Sequence, residues 1–204
     1  LSLDVEELGV DLLSISGHKF YGPKGVGALY FRDGVSVLPV QTGGSHERGL
    51  RAGTHNTPLI VGLATALKLA YDDLAQRTTH YRKLRDRLIS GILNTLPNAL
   101  LTGHAENRLP SHASFVFEDI RSGSLVELLD AKGIAASAAS ACKTGSSEPS
   151  SVLLQLGYSR ETAAASLRLS VGLHTTEADI DYTIQALGEI IPQLSTRDLT
   201  AATA

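Results

Sequence analysis

The sequence predicts an α/β fold in two parts: a loop-rich part over residues 1–75 and a compact α/β part over 76–204. Three observations predict it. Runs of strand length, apolar or alternating, recur along the chain and are separated by segments whose apolar residues return every third or fourth position. Strands alternating with helices in this way build α/β layers. A long polar stretch rich in Gly, Arg and His, residues 41–56, falls in the first part, where ordered loops of that length usually serve function.

Taken in order, residues 1–10 read as a short helix or turn leading into a buried strand over about 11–15. A Gly-rich loop follows, then Val26-Gly-Ala-Leu-Tyr-Phe31, an Arg32-Asp-Gly34 turn and Val35-Ser-Val-Leu-Pro-Val40. Two apolar runs around an Asp-Gly predict a hairpin. Thr57-Pro58 opens a helix to about Asp73, with Pro in the first turn where a missing N–H costs nothing. Leu84, Leu88, Ile92 and Leu96 mark the buried stripe of the next helix. Ala113–Phe117 is a strand, and Ser124 caps a helix over 125–132 that Gly133 closes. Pro149 to Leu156 is a shorter helix ended by Gly157. Ser166–Ser170 alternates as a strand, with Leu167 and Leu169 on one face and Arg168 on the other. Thr176-Glu-Ala-Asp179 starts the last helix with a capping box, and its apolar face is Ile180, Ile184, Leu187 and Ile191. The tail after Ser195 is expected to fray.

Composition narrows the function. The chain has 204 residues, 43% hydrophobic and 19% charged, as in ordinary globular proteins. A formal charge of -3 leaves no basic footprint for nucleic acid. No apolar stretch is long enough to span a bilayer, and no signal pattern opens the chain. The single cysteine, Cys142, cannot form an internal disulfide, which favours a reducing, cytoplasmic setting. There is no Met and the chain starts at Leu1, as expected for a piece of a longer protein.

The richest chemistry lies in Ser14-Ile-Ser-Gly-His-Lys-Phe-Tyr-Gly-Pro-Lys-Gly25. Glycines 17, 22, 25 and 27 would let backbone amides approach a phosphate, with Ser and His adding donors. A lysine at a strand end, Lys19, would form an imine if partly desolvated. A surface lysine in a flexible turn is the plain alternative. The segment is not a P-loop, because Pro23 stands where the lysine belongs and no Ser or Thr follows Lys24. Gly25-Val-Gly27 opens a strand rather than a helix, so it is no dinucleotide fingerprint. His46 and His55 lack a suitably spaced third ligand, and no metal site is expected.

A second candidate is Ala135-Ala-Ser-Ala-Ala-Ser-Ala-Cys142-Lys-Thr-Gly-Ser-Ser-Glu-Pro149. Its small residues bury little apolar area, so the loop is expected to be mobile. An isolated Cys is often a small buried hydrophobe. Here it stands beside Lys143, and a neighbouring positive charge favours thiolate.

Together these segments resemble one family. Ser14 to Gly25 closely matches the lysine segment of cysteine desulfurases, in the class V aminotransferase group of fold-type I pyridoxal-phosphate (PLP) enzymes. The resemblance continues through Gly43-Gly-Ser-His-Glu-Arg-Gly-Leu-Arg-Ala-Gly-Thr54-His-Asn-Thr-Pro58 and around Cys142 and Arg168. It implies part of the large PLP-binding domain over 1–75 and the small C-terminal α/β domain over 76–204. It also implies that Lys19 carries the Schiff base, that Ser16 and His18 bind the cofactor phosphate, and that Thr54 reaches the phosphate in the neighbouring subunit of a homodimer. Arg168 would hold the carboxylate of L-cysteine, and Cys142 would take its sulfur as a persulfide. The acceptor would be an iron–sulfur scaffold or another sulfur-accepting protein, with Cys142 at most a transient cluster ligand. Lys143 departs from the small hydroxyl residue common in the family. The family's N-terminal half supplies the ring-stacking His, the pyridine-nitrogen Asp and the Gln at the phenolic oxygen, so this chain alone is expected not to catalyse desulfuration. A selenocysteine lyase, an aminotransferase of the same group, or an inactive dimerisation or sulfur-acceptor module are the alternatives.

Overall fold

The structure, a computed structural model, describes residues 2–120, 124–138 and 148–196. The chain divides into two compact units, one ending at Ala75 and the other beginning at Gln76.

In the first unit, α1 (Val5–Leu8) is a single turn. The Asp4 carboxylate accepts from the N–H groups of Glu6 and Glu7, and Gly9 closes the turn at φ 62°. β1 (Leu12–Ser16) pairs antiparallel with β2 (Gly27–Phe31), Leu12 opposite Phe31 and Ser16 opposite Gly27. This corrects the expected hairpin. Asp33-Gly34 does turn the chain, with Val35 N–H donating to Arg32 C=O at 3.1 Å, but residues 35–40 form no strand. Pro39 has no N–H for a ladder, and Leu38 and Val40 are 82% and 101% exposed. The apolar content of that run therefore found no sheet to join. β1 also differs from the buried strand expected, since Leu12 is 51% exposed.

α2 (Thr57–Asp72) starts where Asn56 Oδ1 accepts from Leu59 N–H at 3.3 Å, with Pro58 in its first turn. It lies against the loop that follows β1 through small residues: a Cβ on Gly62 would stand 2.9 Å from Pro23 Cγ, and one on Gly22 would stand 3.3 Å from Ala66 Cβ.

In the second unit, α3 (Leu74–Thr95) emerges from the junction. Its stripe Leu84, Leu88 and Ile92, with Leu96 just past its end, is buried as expected. β3 (Ala99–Leu101), β4 (His112–Phe117) and β5 (Ser166–Ser170) form an antiparallel sheet in the order β3-β4-β5. The helices are α4 (Leu125–Ala131), α5 (Ser151–Gln155), α6 (Arg160–Ala164) and α7 (Glu177–Gln193). Alternation along the strands divides the sheet's two faces. Phe115, Phe117, Leu167 and Leu169 join the α3 stripe, Leu125 and Leu129 of α4, and Ile180, Leu187 and Ile191 of α7 in the main core. On the other face, Val116 packs with Leu153 of α5 and Ala163 of α6.

Thr176 and Asp179 make the expected capping box: Thr176 N–H donates to Asp179 Oδ2 at 2.8 Å, and Asp179 N–H to Thr176 Oγ1 at 3.2 Å. Ser124 occupies the N-cap position of α4 without the expected side-chain bond, because its own backbone is already helical. β3 and α6, three and five residues long, were not anticipated; neither is long enough to display a period. The frayed tail expected after Ser195 lies outside the described residues from 197 onward.

Candidate functional site

β1 delivers the chain into a 3-10 turn, Gly17–Phe20, that carries His18 and Lys19 on its exposed side. The glycines around it have a packing role that differs from the one expected. Gly17 N–H donates to Val26 C=O at 3.0 Å and Gly22 N–H to Gly17 C=O at 2.9 Å, so these amides are spent inside the loop. A Cβ on Gly27 would stand 2.6 Å from Ile15 O, and one on Gly22 2.8 Å from Gly17 O. The loop folds back on itself because it has no side chains at these points. Tyr21 ends the turn in the left-handed region, at φ 68°. A non-glycine residue held there marks a tightly determined backbone.

Ser16 Oγ and His18 Nδ1 share a hydrogen bond of 3.0 Å, whose donor depends on the imidazole tautomer. Lys19 is exposed, not partly desolvated as expected. A hydroxyl bonded to an imidazole and, one residue on, an exposed lysine amine thus lie within four residues at an accessible strand end. That donor set fits a phosphate, and the lysine amine fits an aldehyde beside it.

Thr54 lies exposed at the end of the 41–56 loop, just before the Asn56 cap. The loop is ordered by its own contacts. Glu47, Arg48 and Gly49 run consecutively through positive φ (49°, 57° and 82°). His55 Nε2 stands 3.4 Å from Glu47 Oε1, and the rings of His46 and His55 meet edge-on at 5.2 Å. Ala52 N–H closes the loop on Gln41 C=O at 3.2 Å. Among the described residues, no group of three His, Cys, Asp or Glu side chains could hold a metal ion.

Arg168 is central in β5, on the face opposite Leu167 and Leu169. Its strand is paired on both sides: β4 lies on one, and on the other Ser137 N–H donates to Arg168 C=O and Arg168 N–H to Ser137 C=O. Ser166 Oγ–H adds a bond to Ala138 C=O. The segment that leads toward Cys142 therefore runs along β5 beside Arg168, while Cys142 and Lys143 themselves lie outside the described residues.

Sequence reasoning missed two neighbours. His112 opens β4 on the same face as Arg168, and burial, then the charges of Arg108 and Arg168, hold its imidazole below the usual range. Arg108 is anchored by Nη2–H to Thr102 C=O at 2.8 Å and Nε–H to His104 C=O at 2.9 Å. The available signal was strand parity: a β4 one residue longer than expected puts His112 in step with Ser114, the partner of Arg168. The structure thus gathers Ser16, His18 and Lys19 on one turn of the first unit, and Arg168, His112 and the root of the cysteine segment in the second.

Residues 1–183 match the family model described as aminotransferase class-V. Among curated relatives, the chain is 46% identical over 195 residues to the cysteine desulfurase IscS of Clostridium botulinum strain Hall, covering 95% of this chain and 49% of that protein. It is 47% identical to the cysteine desulfurase IscS of Methanosarcina thermophila, over 94% of this chain and 47% of the relative. A solved structure titled NifS-like protein superimposes with a TM-score of 0.82 at 39% identity, over 93% of this chain and 48% of that one. The chain spans about half the length of the relatives it matches.

Proposed function

The chain belongs to the aminotransferase class-V family, and from that premise we propose that it is the second half of a PLP-dependent cysteine desulfurase. The observation that carries the reading is the turn at the end of β1, where the hydrogen-bonded Ser16 and His18 stand beside an exposed Lys19. Similarity of 46–47% to cysteine desulfurases supports it. Residues 1–75 would complete the cofactor-binding domain and residues 76–204 would form the small domain, in keeping with two compact units that divide after Ala75.

PLP, when bound, supplies an aldehyde for an amine and an electron sink for bonds broken at the substrate Cα. Ser16 and His18 would hold its phosphate and Lys19 Nζ would meet its aldehyde; Thr54 would reach the phosphate held by the neighbouring subunit of a homodimer. Lys19 Nζ, when free as an amine, would take the Cα proton of L-cysteine as general base. Arg168 holds the substrate carboxylate with paired N–H donors. Cys142 attacks as thiolate: an S–S bond forms, the substrate Cβ–Sγ bond breaks, and the electron pair left on carbon takes a proton. L-cysteine and one enzyme thiol become alanine and one enzyme persulfide. The persulfide then passes by thiol exchange to an acceptor for iron–sulfur cluster assembly or thiolation, in the cytoplasm.

Borohydride reduction of the PLP-treated protein, followed by peptide mass spectrometry, tests the site. The cofactor mass is expected on the Lys19 peptide and is expected to vanish in Lys19→Ala; a label on Lys24 instead would sink the assignment. In the full-length protein, Cys142→Ala should abolish persulfide formation from L-cysteine and leave cofactor binding intact. The 204 residues alone are expected to release no alanine from L-cysteine, measured by amino-acid analysis.

A further inference from the structure

β4 and β5 place His112 and Arg168 together on the sheet face away from the main core. Ser114 stands opposite Arg168 and His112 opposite Ser170, so His112 and Arg168 are diagonal neighbours. Such neighbours lie about 7–8 Å apart, within reach of long side chains. Arg108, just before β4, has Nη2 and Nε fixed on backbone carbonyls, while Nη1 is buried with no hydrogen-bond partner among the described residues. Arg85 is 5% exposed and is spent on Asp86 and on Leu109 C=O. Among the described residues, the charged groups acting on the His112 ring are Arg108, from the preceding loop, and Arg168, from β5, both positive. Each guanidinium disfavours the charged form of the half-buried imidazole, and an anion among the three groups would offset that effect.

We propose that Arg108, His112 and Arg168 form one carboxylate site, in which the His112 ring takes a proton from solvent when the carboxylate binds. The proposal rests on the reading of Arg168 as the substrate-carboxylate arginine and deepens it, making His112 a third group that contacts the anion. Burial first, and then the charges of Arg108 and Arg168, hold the imidazole below its usual range and so disfavour its charged form. A carboxylate among them offsets the repulsion, so binding is linked to proton uptake and tightens as pH falls.

The test follows the His112 ring and Arg168 Nε–H resonances of the whole 204-residue chain by NMR, titrating sodium acetate against equal sodium chloride. Acetate is expected to move both resonances and to bind about tenfold tighter at about pH 5.5 than at about pH 8. In His112→Asn the Arg168 response should persist while its pH dependence disappears, an outcome that a merely structural histidine would not produce. Acetate that moves Arg168 but not His112, or a pH dependence that survives His112→Asn, overturns the proposal and leaves the reading of Arg168 standing. Acetate that moves neither overturns both. Should His112→Asn fail to fold, the titration midpoint of His112 with and without acetate in the unaltered chain decides the matter.

Discussion

Gly27 governs the geometry of the lysine turn. A Cβ there would stand 2.6 Å from Ile15 O, a backbone atom that cannot swing aside. Gly27→Ala is expected to cost about 1–3 kcal/mol, read as faster amide exchange in β1. His112 sets a pH dependence through its imidazole, held below the usual range by burial first and then by Arg108 and Arg168. The unfolded chain therefore binds this proton more readily than the folded one, and stability rises with pH across the window between the two values. Stability should be undiminished above the ordinary value of 6.5 and should fall as pH drops below it. Urea melts of His112→Asn should lack that part of the slope. At this scale the sequence disclosed the donors Ser16, His18 and Lys19 because they are contiguous. It did not disclose His112, 56 positions from Arg168 and brought to its face by strand pairing, or Arg108, which acts on the His112 ring from the preceding loop.

Among the elements, α7 is the clearest case of local chemistry deciding structure. Its Thr176–Asp179 capping box satisfies the N–H groups of Thr176 and Asp179, and Thr176→Ala is expected to cost about 1 kcal/mol by thermal or urea unfolding. α7 also meets α3 through ion pairs: Arg87 spans both oxygens of Asp181 at 2.7 and 2.8 Å, and Lys83 pairs with Glu177. Lys83 holds the Glu177 carboxyl below its usual range, and Arg87 does the same for Asp181. Whatever stability these exposed pairs add is present above the ordinary values of 4.5 and 3.8 and is lost as pH falls below them, a window separate from that of His112. Added salt should erode that acid-side component and spare the His112 component. The long helices were legible because their apolar residues repeat over several turns. The run Val35–Val40 misled because its composition suits a strand while Pro39 denies it a ladder, and β2 took β1 as its partner instead.

Across the whole molecule, burial is uneven. Of the described hydrophobic residues in the first unit, only Ala52 and Leu63 are buried; the main core belongs to the second. Hydrogen exchange should therefore protect β4 and α7 far more strongly than β1 and β2, and equal protection would contradict that division of the core. Within the second unit, Leu187→Ala should cost about 2–5 kcal/mol, because its side chain is fully enclosed in that core. By itself the sequence determined the helix stripes, the α7 cap, the α/β class and which donors the lysine turn carries, all of which depend on residues close together in the chain. Only the tertiary structure decided which strands pair, that the glycines around Lys19 serve loop packing, and that Ser137 runs along β5 beside Arg168. It also decided that His112 shares the face of Arg168. Those outcomes depend on register and close approach between distant segments, where a shift of one residue turns a side chain to the opposite face.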